Sequence, residues 1–163
     1  MIKKKLMIDM FKNIRNGVRA VIKSSHGILF IQKKNEVHGE YFVLPGGIQT
    51  PGESLIDALR RECREEIGAE ITVGSLLHVG DRYKVNSKAS GAYQHNVEFL
   101  FSCHVGPDYQ PQNGSAPDKK QMAVLWLPLE QLLTTRLRPH SLAKVLIAPS
   151  QLPLYLGAMG DLQ

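Results

Sequence analysis

Between residues 54 and 68 the apolar side chains recur every three or four positions, and on either side of that stretch they come in short β-branched runs. A 3.6-residue period flanked by strand-like segments restricts the chain to folds in which one long helix lays an apolar stripe on a sheet. Ile56, Leu59, Cys63 and Ile67 form the stripe. Ser54, with Asp57 three residues on, is a near capping box that starts the helix, and Gly68 stands where a left-handed stop belongs.

The flanking runs supply the sheet. Residues 18–23 (VRAVIK) and 28–32 (ILFIQ), separated by SSHG, read as a hairpin. EYFVLPGG is a third strand ending in a Pro-Gly-Gly turn. Residues 71–85 hold one or two strands. In NVEFLFSCHV, Val97, Phe99, Phe101, Cys103 and Val105 line one face, with Glu98, Leu100, Ser102 and His104 on the other. AVLWLPL is a further strand stopped by Pro128. LEQLL and PHSLAKVLI read as short helices, with Pro139 in a first helical turn. Two polar loops, 86–94 and 106–120, are rich in Gly, Pro, Ser and Asn. The second is long enough to be either mobile or part of a binding site. The expectation is an arm or short helix over 1–14 and a single α/β domain over 15–163, a mixed sheet with helices packed on it.

The helix carries a second pattern. Glu62 and Glu66 are four apart and Glu65 lies three from Glu62, so the three share a flank at the edge of the apolar stripe. A solvated face pairs Glu with Lys or Arg, as Asp57 and Arg61 do. Glu62 and Glu66 repel at a cost of about 0.2–0.5 kcal/mol. Helix spacing alone does not choose between a solvated face and a cation site. The approach to the helix adds weight to the cation. Gly46 and Gly47 let the backbone turn sharply towards the flank, and Pro51-Gly52 folds Glu53 back beside the first helical turn. Carboxylates and a main-chain carbonyl are oxygen ligands, which suit Mg²⁺ or Mn²⁺ rather than zinc. Since the chain carries a net charge of +5, a polyanion bridged to that flank through metal ions is the natural ligand.

At this point the sequence resembles the Nudix hydrolase superfamily, whose signature is G-x5-E-x7-R-E-U-x-E-E-x-G-U with U aliphatic. Gly47, Glu53, Arg61, Glu62, Glu65, Glu66 and Gly68 match all its fixed positions, a coincidence rarer than about one in 10⁵ on residue frequencies. Cys63 and Ala69 stand at the aliphatic positions and are smaller than usual. The resemblance implies an α/β/α sandwich around a mixed sheet and hydrolysis of a nucleoside diphosphate linked to another moiety. It implies Glu62 and Glu66 as the principal metal ligands, Glu65 sharing a cation, and the Gly46 carbonyl as a further ligand. Arg61 would hold Glu53 or orient a ligating carboxylate. Glu62 and Glu98 are both candidates for the general base; the other reading of Glu98 is a solvent-facing strand residue.

Gly47, Tyr93 and Tyr109 are the candidates to touch substrate, the two tyrosines because they lie in the polar loops. The six histidines lack the pairing of a zinc site. Cys63 and Cys103 form no disulfide framework, which with the lack of a long apolar run places the chain in the cytoplasm, off the membrane. Scattered basic residues argue against nucleic acid, and the family leaves a homodimer open. A nucleotide-sensing module without catalysis and an isomerase acting on an allylic diphosphate are the alternatives on the same fold. Silent modules usually lose box carboxylates, and this chain keeps them all.

Overall fold

The computed structural model describes residues 11–36, 39–85 and 93–160. Among these residues, seven strands and two α-helices make an α/β/α sandwich around a mixed sheet. In chain order they are β1 (Phe11–Ser24), β2 (Gly27–Asn35), β3 (Gly39–Val43), α1 (Leu55–Ile67), β4 (Thr72–Val85), β5 (Tyr93–His104), β6 (Gln121–Leu127), α2 (Leu142–Ile147) and β7 (Tyr155–Ala158). Single 3-10 turns follow β6 and α2. Strand β1 begins at Phe11, so residues 11–14 belong to the domain rather than to an arm; residues 1–10 lie outside the described residues. Pro139 follows a cis peptide bond and precedes α2, which starts only at Leu142, instead of opening it. Among the described residues no helix is long and apolar enough to cross a membrane.

The strand order is β3-β2-β1-β5-β4-β7, with β6 on β2. Strands β1 and β5 run parallel along most of their length, whereas β1 pairs with β2 only at the hairpin, through Lys23↔Ile28 and Ser24↔Gly27. Below the hairpin β1 and β2 diverge. The freed edge of β1 is taken up by the turn after β3: Val18 N–H donates to the Gly47 carbonyl and Ala20 N–H to that of Pro45, both at 2.9 Å. This divergence puts the Gly46-Gly47 turn in the middle of the sheet, directly beneath α1.

Strand β2 is buried on both faces, as its unbroken ILFI run requires. Leu29 and Ile31 join Val18, Ala20, Ile22, Leu59, Cys63 and Ile67 in the core under α1, while Ile28 and Phe30 join Val21, Leu100, Leu142 and Leu146 in the core under α2. Burying each of these aliphatic side chains contributes about 1.5–3 kcal/mol. Helix α1 has the expected caps: Asp57 N–H donates to Ser54 Oγ at 3.1 Å, and Gly68 takes φ 61°. Ile56 departs from the stripe and is exposed, and in the first turn Leu55 packs against the core in its place. Cys63 and Cys103 are free, buried thiols, and burial pushes both thiol pKa values up.

Candidate active site

The site forms where the glycine turn meets the flank of α1. Gly46 has φ 132°, and a Cβ there would lie 2.0 Å from the Val18 carbonyl oxygen. Only glycine allows the turn to lie so close on β1. Its N–H donates to Glu66 Oε2 at 2.9 Å. A Cβ on Gly47 would fall 2.2 Å from Glu62 Cδ, so the missing side chain is the space that the Glu62 carboxylate fills.

Arg61 gathers the other acids. Its Nε and Nη2 grip Glu53 at 3.1 and 2.7 Å, and Nη1 reaches Glu62 Oε1 at 2.9 Å and Glu65 Oε2 at 3.5 Å. Nη2 also donates to the Ile48 carbonyl at 3.2 Å, anchoring the guanidinium to the glycine turn. Hydrogen bonds from Arg61 and from Thr50 hold the Glu53 carboxyl down at a pKa of about 2. Thus one cation already serves Glu53, Glu62 and Glu65.

Glu66 is different. It is buried, and burial pushes its pKa up against the pull of Lys33, the Gly46 N–H and Arg19. Lys33 Nζ lies 3.5 Å from Glu66 Oε1 and 3.2 Å from Asp118 Oδ2. Glu98 is 2% exposed and faces the site, so it is not a solvent-facing strand residue. A Cβ on Gly17, its partner on β1, would come within 2.5 Å of Glu98 Oε2. Arg19 Nε donates to Glu98 Oε2 at 2.8 Å and Nη2 to Oε1 at 3.4 Å, with Arg82 3.9 Å away and Asn96 Nδ2 at 3.4 Å. Burial alone would raise the Glu98 pKa; these donors outweigh it and hold the carboxyl below its usual range. Arg19 Nη1 also donates to the Gly46 carbonyl at 2.8 Å, the oxygen that the family resemblance offers to a metal.

Arg19, Lys33, Arg82, Asn96 and Asp118 were not among the residues singled out from the sequence. The one signal for Arg19 is a charge inside the apolar run VRAVIK, where it must find a buried partner. Tyr109 is placed differently from a stacking residue: its hydroxyl donates to the Ile67 carbonyl at 2.8 Å and its ring packs against the core under α1. Burial pushes its hydroxyl up to about 12. Tyr93 opens β5, and its side chain lies outside the described residues. His95 pairs with Asp81 at 2.6 Å, away from the acidic flank, and Trp126 packs on the core.

Among the described residues, no three of His, Cys, Asp and Glu stand together as a ready metal cage. The acids of α1 are instead spaced around the chain's own cations. Their chemistry fits a hard divalent ion: every donor is an oxygen, and the site already draws positive charge onto Glu62, Glu65 and Glu66 through Arg61 Nη1 and Lys33 Nζ.

A family model for the NUDIX domain matches residues 13–146. The chain belongs to the Nudix family. It is 32% identical over 123 residues to the CTP pyrophosphohydrolase of Escherichia coli K12, which covers 75% of this chain and 82% of that protein. It is 40% identical over 77 residues to the human 8-oxo-dGDP phosphatase NUDT18, covering 46% of this chain but 24% of that one. Against the first three curated relatives it matches, the chain spans between 24% and 48% of their length. Among solved structures, that of the E. coli ORF135 protein superposes with a TM-score of 0.58 at 29% identity, covering 85% of this chain and 89% of that one.

Proposed function

We propose that the protein hydrolyses the diphosphate linkage of a nucleoside diphosphate derivative, with Mg²⁺ or Mn²⁺ bound by Glu62, Glu65 and Glu66. The observation that carries this reading is the buried Glu66 carboxylate, anchored by the Gly46 N–H at 2.9 Å and facing the Lys33 ammonium at 3.5 Å. A carboxylate in that setting gains most from a cation. Family membership and the likeness to a CTP pyrophosphohydrolase support a substrate with linked phosphates.

Each residue has a task within this chemistry. A divalent ion at these carboxylates neutralises the diphosphate and makes a bound water more acidic. Arg61 fixes the Glu53, Glu62 and Glu65 side chains so that they present oxygens without having to reorganise. The turn at Gly46 and Gly47 sets the height of the substrate-facing backbone above β1. Of the two base candidates, Glu62 is favoured: both Glu98 oxygens accept from N–H donors, and its proton affinity is held down. Glu98 instead keeps Arg19 aimed at the Gly46 carbonyl. Release of phosphate, pyrophosphate or nucleoside monophosphate from a panel of nucleoside triphosphates, dinucleotides and nucleotide sugars, with and without Mg²⁺, tests the reading. Turnover of no member of the panel in Mg²⁺ or Mn²⁺ would overturn it.

A further inference from the structure

The last turn of any α-helix has carbonyls without intrahelical partners, commonly left to water or a glycine cap. In α1 the cap satisfies only Cys63, whose carbonyl accepts from Gly68 and, at 3.4 Å, from Ala69. Beyond Arg64 come the carbonyls of the acidic flank. The Glu65 carbonyl accepts from Ala116 N–H at 3.0 Å, and the Glu66 carbonyl from Gly114 N–H at 3.0 Å and Gln121 Nε2 at 2.7 Å. All three donors come from one stretch, residues 114–121, which ends on the first residue of β6. A fourth tether comes from the same stretch, since Asp118 shares Lys33 with the Glu66 carboxylate.

Two details show that the stretch is built to press on the helix end. A Cβ on Gly114 would lie 2.4 Å from the Glu65 carbonyl oxygen and 2.5 Å from that of Arg64. Gln121 turns both amide hydrogens to acceptors, Glu66 and, at 2.9 Å, Asn113 Oδ1, while its own buried Oε1 has no partner among the described residues.

We propose that residues 114–121 are a positioning brace for Glu65 and Glu66, with Gln121 its central positioning residue. The inference rests on the reading of this flank as a divalent-cation site. Because Glu66 is buried, its carboxylate follows its backbone, and the brace fixes that backbone from outside the helix. Loosening the brace therefore weakens cation binding in a chain that is still folded.

The test is Mn²⁺ binding, read from the electron paramagnetic resonance signal of the free ion, on the full chain with a thermal melt of each variant. Gln121→Ala removes the side-chain donor and is expected to bind Mn²⁺ about fivefold more weakly, the fold-change that one lost hydrogen bond corresponds to. Gly114→Ala forces the loop off the helix end and is expected to weaken binding at least as much. Tyr109→Phe is the comparison. It removes a hydrogen bond to Ile67, one residue past the carboxylates, so it should lower the melting temperature without moving Mn²⁺ affinity. Wild-type affinity in folded Gln121→Ala, or an equal loss in Tyr109→Phe, overturns the brace. A wild-type chain that binds no Mn²⁺ overturns the metal reading, and the brace with it.

Discussion

Replacing Arg19 with alanine isolates the forces that hold the site together. Its guanidinium is the nearest cation to Glu98, at 2.8 Å, and Glu98 is 2% exposed. Breaking a buried ion pair from one side destabilises by about 3–5 kcal/mol, because the remaining charge is left in a poor solvent. Arg82 at 3.9 Å and Asn96 at 3.4 Å still face the carboxylate, so the loss belongs at the lower end. About 3 kcal/mol in a domain of this size lowers Tm by roughly 6–12 °C near neutral pH. The sign of the pH dependence follows. In the wild type the folded pKa of Glu98 is depressed, so its contribution is present above the unfolded value and is lost as pH falls through the folded one. Without Arg19 burial dominates, and the folded pKa rises above the unfolded one. The variant's deficit should then shrink towards about pH 4, where the unfolded carboxyl is itself largely protonated. Thermal melts at both pH values, with Glu98→Gln added to the Arg19→Ala background, provide the assay. The double variant should recover most of the loss at neutral pH. A deficit that stays constant with pH, or no rescue by glutamine, would refute the reasoning.

Three further changes probe the acidic flank. Glu66→Gln keeps an acceptor for the Gly46 N–H but removes the charge, so metal-dependent turnover should fall by about 10²-fold or more while Tm holds, as steady-state assays and melts would show. Gly47→Ala drives a methyl into the space of the Glu62 carboxylate, 2.2 Å from its Cδ; it should lower activity and cost about 1–3 kcal/mol by denaturant unfolding. Arg61→Lys cannot grip both Glu53 oxygens. The Glu53 carboxyl, held at about 2 in the wild type, contributes stability that is present above its unfolded pKa and lost as pH falls towards that value. In the lysine variant its NMR titration should move up towards the ordinary carboxylate range.

The helix and its acidic flank were legible in the sequence because everything that specifies them is local: period, caps and spacing lie within residues 46–69. Ile56 shows the limit, since period places it on the stripe, yet it is exposed and Leu55 packs against the core in the first turn. The inner electrostatics were not legible. Arg19 meets Glu98 across 79 positions and Lys33 meets Glu66 across 33. Those meetings depend on the parallel register of β1 on β5, with Gly17 opposite Glu98, and on the divergence of β1 from β2. Strand β7 is four residues at an edge, too short to stand out from its Pro- and Gly-containing surroundings. Loop 106–120 read as mobile or ligand-binding from composition. Its main-chain donors, which cap α1 in the fold, carry no side-chain signature.

Divalent-cation binding to wild-type and Glu66→Gln protein, followed by titration calorimetry, addresses the central claim most directly. The account predicts saturable uptake of Mg²⁺ or Mn²⁺ by the wild type, strengthened by a nucleotide and largely lost in the glutamine variant. Equal uptake by the two proteins, or none by the folded wild type with nucleotide present, would contradict it.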